Sequence, residues 1–273
     1  MAPRVSGRID AHVHLWNRVT DPQPWIDPET MAAIDADFGP VELAGMLADT
    51  GQDRAVVVQA GNDLGETGRL LCHDVPVVAG VVGWVDLTGK VDEQLDELGP
   101  GRLVGIRHLV HVDPDPDWLG RPDVGASLDR LAARGLAFDL VVRSWQLDLV
   151  RTVVQAHPEV RFVLDHLGGI AEAPDEAEWE RGVRALAGLP NVAVKISGLA
   201  GIVPDAARLA RVVGVALESF GPHRLMYGSD WPLANLGAGS VAWRSAVDAL
   251  IEDLSDDERS AIDGGTASAW YRL

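Results

Sequence analysis

The chain has 273 residues, 47% of them hydrophobic, with 41 acidic and 23 basic side chains and a formal net charge of −18. No basic run offsets that charge, which argues against a nucleic-acid or anionic-membrane partner but not against a small substrate that feels local charge. The single cysteine, Cys72, rules out an intrachain disulfide or a cysteine-rich zinc site, and no apolar run reaches the roughly 18 residues of a membrane span.

Residues 1–7 lack an apolar signal segment and lead straight into the first strand, so a soluble, cytoplasmic protein acting on a small molecule is expected. That strand is Ile9-Asp10-Ala11-His12-Val13-His14-Leu15-Trp16. Strand side chains alternate between faces, so Asp10, His12 and His14 are expected on one face. Two imidazoles so placed can share a cation, bind an anion or polarise a carbonyl; the plain alternative is a hydrogen-bonded pair in the core.

Residues 17–40, dense in Asp, Pro and Trp, read as a long loop, a candidate lid. A helix over 41–51 stops at a glycine. Strand compositions follow at 54–60 and 75–87, with a polar link and short helix over 61–74 between them, then a helix over 91–98 closed by Gly99-Pro100. Residues 103–109 form the fourth strand. A loop marked by Asp-Pro repeats at 113–117 precedes a helix over 127–134 and a strand over 136–143. Helices at 146–157, 175–189 and 205–220 alternate with strands at 161–166, 191–198 and 224–230. The stretch 240–273 reads as helical.

Eight near-continuous apolar strands separated by helices mean a parallel sheet covered on both faces. They predict a (β/α)8 barrel formed by residues 1–273 as one domain, and the absence of Gly-x-Gly-x-x-Gly after the first strand counts against a dinucleotide-binding open sheet. Such barrels keep their chemistry at the C-terminal strand ends. Those ends carry His12 and His14, Gln59, Trp84 and Asp86, Arg107 and His108, Arg143, His166, Lys195 and Ser197, and Asp230.

Strand parity sorts these residues. Val104 and Ile106 are assigned to the helices, which leaves Gly105 and Arg107 facing the lumen; Lys195, Ser197, His166 and Asp230 also face in, and Asp165 faces out as a capping carboxylate. His108 is assigned a structural role, and Arg143 a pairing with Asp139. Asp230 is the candidate general base, a carboxylate kept ionised among histidines. His12, His14 and His166, with Asp230, are candidate ligands of one divalent ion, zinc for example, which would bring a bound water's pKa to about 7. Without metal, the imidazoles and Arg107 are candidate oxyanion stabilisers. Arg107 and Lys195 are candidate substrate-binding cations, and Trp16, Trp25 and Trp118 candidate pocket walls.

The segments Asp10–Trp16, Gly105-Ile106-Arg107-His108, Val163–Gly168, Lys195–Leu199 and Tyr227-Gly228-Ser229-Asp230-Trp231-Pro232 resemble the amidohydrolase-2 family, in its branch of sugar-lactone and pyrone-dicarboxylate hydrolases. The resemblance implies an amidohydrolase-type barrel that hydrolyses a cyclic ester, with Asp230 as base and His12, His14 and His166 lining the site. Other members of the family are mononuclear zinc decarboxylases or amide hydrolases, which is the alternative. The chain lacks the strand-five histidine of binuclear relatives, so at most one metal ion is expected. It also carries Gly265-Thr266-Ala267 where the family tends to have Gly-Asn-Ala.

Overall fold

The computed structural model describes residues 7–99 and 101–273. The readings of residues 1–6 and of Pro100 lie outside the described residues. Eight strands, β1 (Ile9–Val13), β2 (Arg54–Val58), β3 (Val78–Gly83), β4 (Leu103–His108), β5 (Ala137–Leu140), β6 (Phe162–Leu164), β7 (Val192–Ile196) and β8 (Leu225–Tyr227), pair in parallel in chain order. The ring closes between β8 and β1 through the His14 amide to the Trp231 carbonyl (2.7 Å) and the Asp230 amide to the His12 carbonyl (2.9 Å). This is the expected (β/α)8 barrel.

Runs such as Val56-Val57-Val58 suit strands buried on both faces, since branched side chains pack well on a pleated surface. Helices at Pro40–Thr50, Leu64–Leu71, Val91–Leu98, Pro122–Ala133, Leu147–Ala156, Glu176–Ala187, Ala206–Phe220 and Ser240–Leu250 alternate with the strands. Among the described residues, no helix is long and apolar enough to cross a membrane.

Some boundaries differ from expectation for local reasons. The helix expected over 127–134 begins at Pro122, whose missing N–H costs nothing in the first turn. The strand expected over 75–87 is only Val78–Gly83, because the Trp84 amide bonds the Thr67 hydroxyl (2.7 Å) instead of a neighbouring strand. The C-terminal stretch is not one helical run: Asp256–Ser260 and Thr266–Tyr271 flank a wide turn at Ala261–Gly265. Thr266 Oγ1 is buried there without a hydrogen-bond partner.

The lower lumen is apolar. Ile9, Ala11, Val56, Val58, Val82, Ala137, Val163, Ala193 and Met226 pack together, plugged from below by Ala267 and Tyr271. Burying a side chain the size of valine or larger contributes about 1.5–3 kcal/mol, so this plug is a substantial part of the core. Val104 packs onto this cluster rather than against the helices as expected; Ile106 does face them. A register shift in β1 between Asp10 and Val13 changes the parity of that strand. Ile9 and Ala11 join the lumen cluster while Val13 and Leu15 pack outward. Asp10 therefore does not sit beside the imidazoles: its Oδ1 accepts the amides of His12 (3.1 Å) and Ser229 (2.9 Å), tying β1 to β8. Burial raises its pKa to about 6.

Candidate active site

Above the apolar plug lies a layer of charge. Lys195 on β7 is fully buried, with its Nζ 2.6 Å from Asp139 Oδ2, 2.9 Å from Asp165 Oδ1 and 3.1 Å from His12 Nδ1. The Tyr271 hydroxyl donates to the same Asp139 oxygen at 2.7 Å. Asp165 also accepts from Arg107 Nη1 at 2.9 Å. Burial works against its charge, but Lys195, His12 and Arg107 outweigh burial and hold its carboxyl well below the usual carboxylate range.

Three sequence readings are corrected here. Asp165 does not face out: Val163 points into the lumen, so two residues on Asp165 does too. Lys195 faces the lumen but lies wholly beneath the site, paired with two carboxylates, where it cannot meet a substrate. Arg143 does not pair with Asp139, which Lys195 has taken; it reaches across to Glu172.

The next layer up holds the histidines and Asp230. His12 Nε2 and His14 Nε2 are 3.1 Å apart, and His14 Nδ1 contacts the Val58 carbonyl at 2.8 Å. Asp230 Oδ1 lies 3.3 Å from His14 Nε2 and 3.6 Å from His12 Nε2, buried and without a hydrogen bond. Burial alone would raise the pKa of Asp230; His166, His14 and His12 prevail and keep it ionised. Burial lowers the pKa of both His12 and His14, with Lys195 adding to the effect at His12 and Arg107 at His14.

His166 Nδ1 lies 2.9 Å from the Ser197 hydroxyl, and its ring sits 4.6 Å from that of His12. Both His166 (φ 54°) and Asp230 (φ 59°) occupy the left-handed region, an unfavourable conformation for such residues that recurs at functional sites. Each lies just past the end of its strand, where the turn redirects the side chain to the mouth. Gly198 makes room: at φ 69° it sits where a Cβ would come within 2.6 Å of His166 Nδ1.

A cavity of about 400 Å³ opens above this floor, within the range of small-molecule sites. His14, Arg107, His166 and Asp230 form its base; Trp25, His111, Val142, Arg143 and Leu233 stand in its walls. Trp16, expected as a wall, is buried behind Trp25 (ring centroids 5.7 Å), and its Nε1 donates to the Ala36 carbonyl at 2.9 Å. Trp118 stacks at 3.6 Å on His108, which bonds Trp84 Nε1 (3.0 Å) and Asp113 (2.8 Å) outside the cavity, a packing role for both. Asp165, Asp139, Tyr271 and His111 were not singled out from sequence as site residues. Only the inward parity of Val163 could have pointed to Asp165.

The donor set fits one divalent ion. Two ligands of a tetrahedral ion bound at about 2.0–2.1 Å stand roughly 3.3 Å apart. His12 Nε2, His14 Nε2 and Asp230 Oδ1 form a triangle of 3.1, 3.3 and 3.6 Å. His12, His166 and Asp230 also offer ligand atoms within 4.8 Å of one another. The unpartnered Asp230 oxygen is the expected mark of such a ligand.

A parallel barrel with a histidine–aspartate floor at its C-terminal mouth is a hydrolase architecture. The amidohydrolase family model matches residues 9–273, and the chain belongs to that family. It is 37% identical to an L-fucono-1,5-lactonase of Burkholderia ambifaria, over 97% of this chain and 96% of the relative. An L-fucono-1,5-lactonase of Burkholderia multivorans is 33% identical over the same shares. The crystal structure of a Burkholderia multivorans amidohydrolase with bound zinc superposes with a TM-score of 0.92 at 33% identity, over 97% of this chain and 99% of that one.

Proposed function

We propose that the chain opens a small, uncharged sugar lactone by hydrolysis, with Asp230 as general base. The observation that carries this reading is Asp230 Oδ1: buried, ionised, without a hydrogen bond, at the floor of a cavity sized for a single ring. Relatives at 33–37% identity that bear the name lactonase support the same reaction and give the zinc decarboxylase or amide hydrolase alternative less support.

A water held between Asp230 and the imidazoles would lose its proton to Asp230 as its oxygen attacks the ring carbonyl carbon. The negative charge then builds on the former carbonyl oxygen, and Arg107 and His166, at the cavity base, are placed to stabilise it. Collapse breaks the bond from the carbonyl carbon to the ring oxygen. The proton held by Asp230 passes to the leaving alkoxide, giving an open hydroxy acid and restoring the carboxylate. A divalent ion bound by His12, His14 and Asp230 would supply Lewis-acid polarisation of the ester.

The charge of the cavity favours an uncharged ring. Arg107 is already paired with Asp165, and Arg143 with Glu172. A substrate carboxylate would find both arginines lining the cavity already paired with carboxylates and would face Asp230. The test is a panel of aldonolactones and pyrone dicarboxylates with a pH indicator, since ring opening releases a proton. Turnover of the neutral lactones is expected; turnover of the dicarboxylates alone would refute the charge argument, and no turnover of any ring would refute the reaction.

A further inference from the structure

The placement of protons across the paired histidines follows from their partners. The Val58 carbonyl can only accept, so the ring proton of neutral His14 sits on Nδ1, 2.8 Å away, and its Nε2 is bare. The Lys195 ammonium has three N–H donors and no lone pair. In a fully buried position it hydrogen-bonds Asp139 Oδ2 at 2.6 Å and His12 Nδ1 at 3.1 Å, while Asp165 Oδ1, at 2.9 Å, is ion-paired with it outside hydrogen-bond geometry. The second of these hydrogen bonds exists only if His12 Nδ1 accepts, which puts the His12 proton on Nε2. That nitrogen lies 3.1 Å from the bare Nε2 of His14. One unbroken chain results, from Lys195 to His12 to His14 to the Val58 carbonyl. Two longer contacts oppose this order: Asp165 Oδ1 lies 3.4 Å from His12 Nδ1, and Arg107 Nη1 lies 3.3 Å from His12 Nε2. Arg107 Nη1 carries two N–H groups, one donating to Asp165 Oδ2 at 2.9 Å and the other reaching His12 Nε2, a longer contact than that of Lys195 to Nδ1.

We infer that Lys195 is a positioning residue that selects the Nε2–H tautomer of His12 and thereby weakens the site's hold on a divalent cation. A metal-ligating histidine normally donates its other ring N–H to a carboxylate or carbonyl, which leaves the ligating nitrogen bare. His14 is arranged in that way. At His12 an ammonium occupies the place of the acceptor. For an ion to use His12 Nε2, the proton must move to Nδ1 and turn toward Asp165, leaving the buried ammonium one acceptor short. Without an ion, the same arrangement gives His12 an N–H directed at the reacting layer rather than at the floor.

The experiment uses the full-length chain, chelator-treated and labelled with 15N-histidine. The His12 signals are assigned by their loss in His12→Asn, and the ring-nitrogen shifts report the tautomer. The parent is expected to carry its His12 proton on Nε2 and its His14 proton on Nδ1. Zinc affinity, measured by competition with a chromophoric chelator, is expected to rise in Lys195→Met on the order of 10–100-fold, the usual scale for partners of metal ligands. A His12 proton on Nδ1 in the metal-free parent overturns the inference, as does a zinc affinity in Lys195→Met no tighter than the parent's. Should Lys195→Met fail to fold, the parent's own spectrum decides.

Discussion

Asp165 and Arg107 form a fully enclosed ion pair, Oδ2 to Nη1 at 2.9 Å, that joins the buried charge layer to the floor of the cavity. Arg107 Nη2 also donates to the Gln59 carbonyl, so the guanidinium is held from two strands. Asp165→Ala leaves both Lys195 and Arg107 short of a carboxylate. Breaking a buried pair by removing one partner costs about 3–5 kcal/mol. Urea denaturation should show a loss of that order, with activity falling as Arg107 loses its seat; a loss under about 1 kcal/mol would mean that Asp165 is not what holds the two cations.

Asp230→Asn keeps the shape and removes the base. General-base catalysis contributes about 10²–10⁴-fold, so kcat on a hydrolysed lactone should drop by that factor while the melting temperature stays near the parent's. Steady-state kinetics beside a thermal scan checks both parts. Parent-like turnover would remove Asp230 from the mechanism.

Gly198→Ala should damage the site more than the fold. An alanine at φ 69° is strained and its Cβ would press on His166 at 2.6 Å. Alanine where φ is positive destabilises by more than about 1 kcal/mol, and the displaced imidazole should cost activity beyond that. Kinetics at a temperature well below the variant's melting point separates the two; full activity there would show that His166 tolerates the shift.

Glu66 links the loop after β2 to pH. Its carboxylate oxygens accept the amides of Ala60 (2.7 Å) and Gly61 (2.8 Å), yet burial raises its pKa from 4.5 to about 7. Between those values the folded chain binds a proton that the unfolded chain has released, so this group's contribution to stability falls as pH rises from about 4.5 to 7. In Glu66→Gln that slope disappears. The parent's melting temperature minus the variant's should therefore shrink steadily from pH 5 to pH 7; a constant difference would show that Glu66 does not titrate in this range.

The eight strands and the identities of the residues at their mouths were legible in the amino-acid sequence. A parallel strand buried on both faces needs a near-continuous apolar run, and a polar residue ending such a run stands out. His12, His14, Arg107, His166 and Asp230 were placed at the barrel mouth in that way. The partners of these residues were not legible. Asp165 was misplaced because β6 is only three residues long and His166 and Asp165 both end up inside, one by parity and the other by a left-handed turn. Asp10 was misplaced by the shift in β1, which no residue type announces. Lys195 was rightly placed in the lumen but given the wrong depth, because its height above the plug depends on the stagger of seven other strands. Apolar patterning along the chain is a local property and determines the elements; which charge meets which across a lumen depends on strand register and tilt, and only the closed barrel decides it.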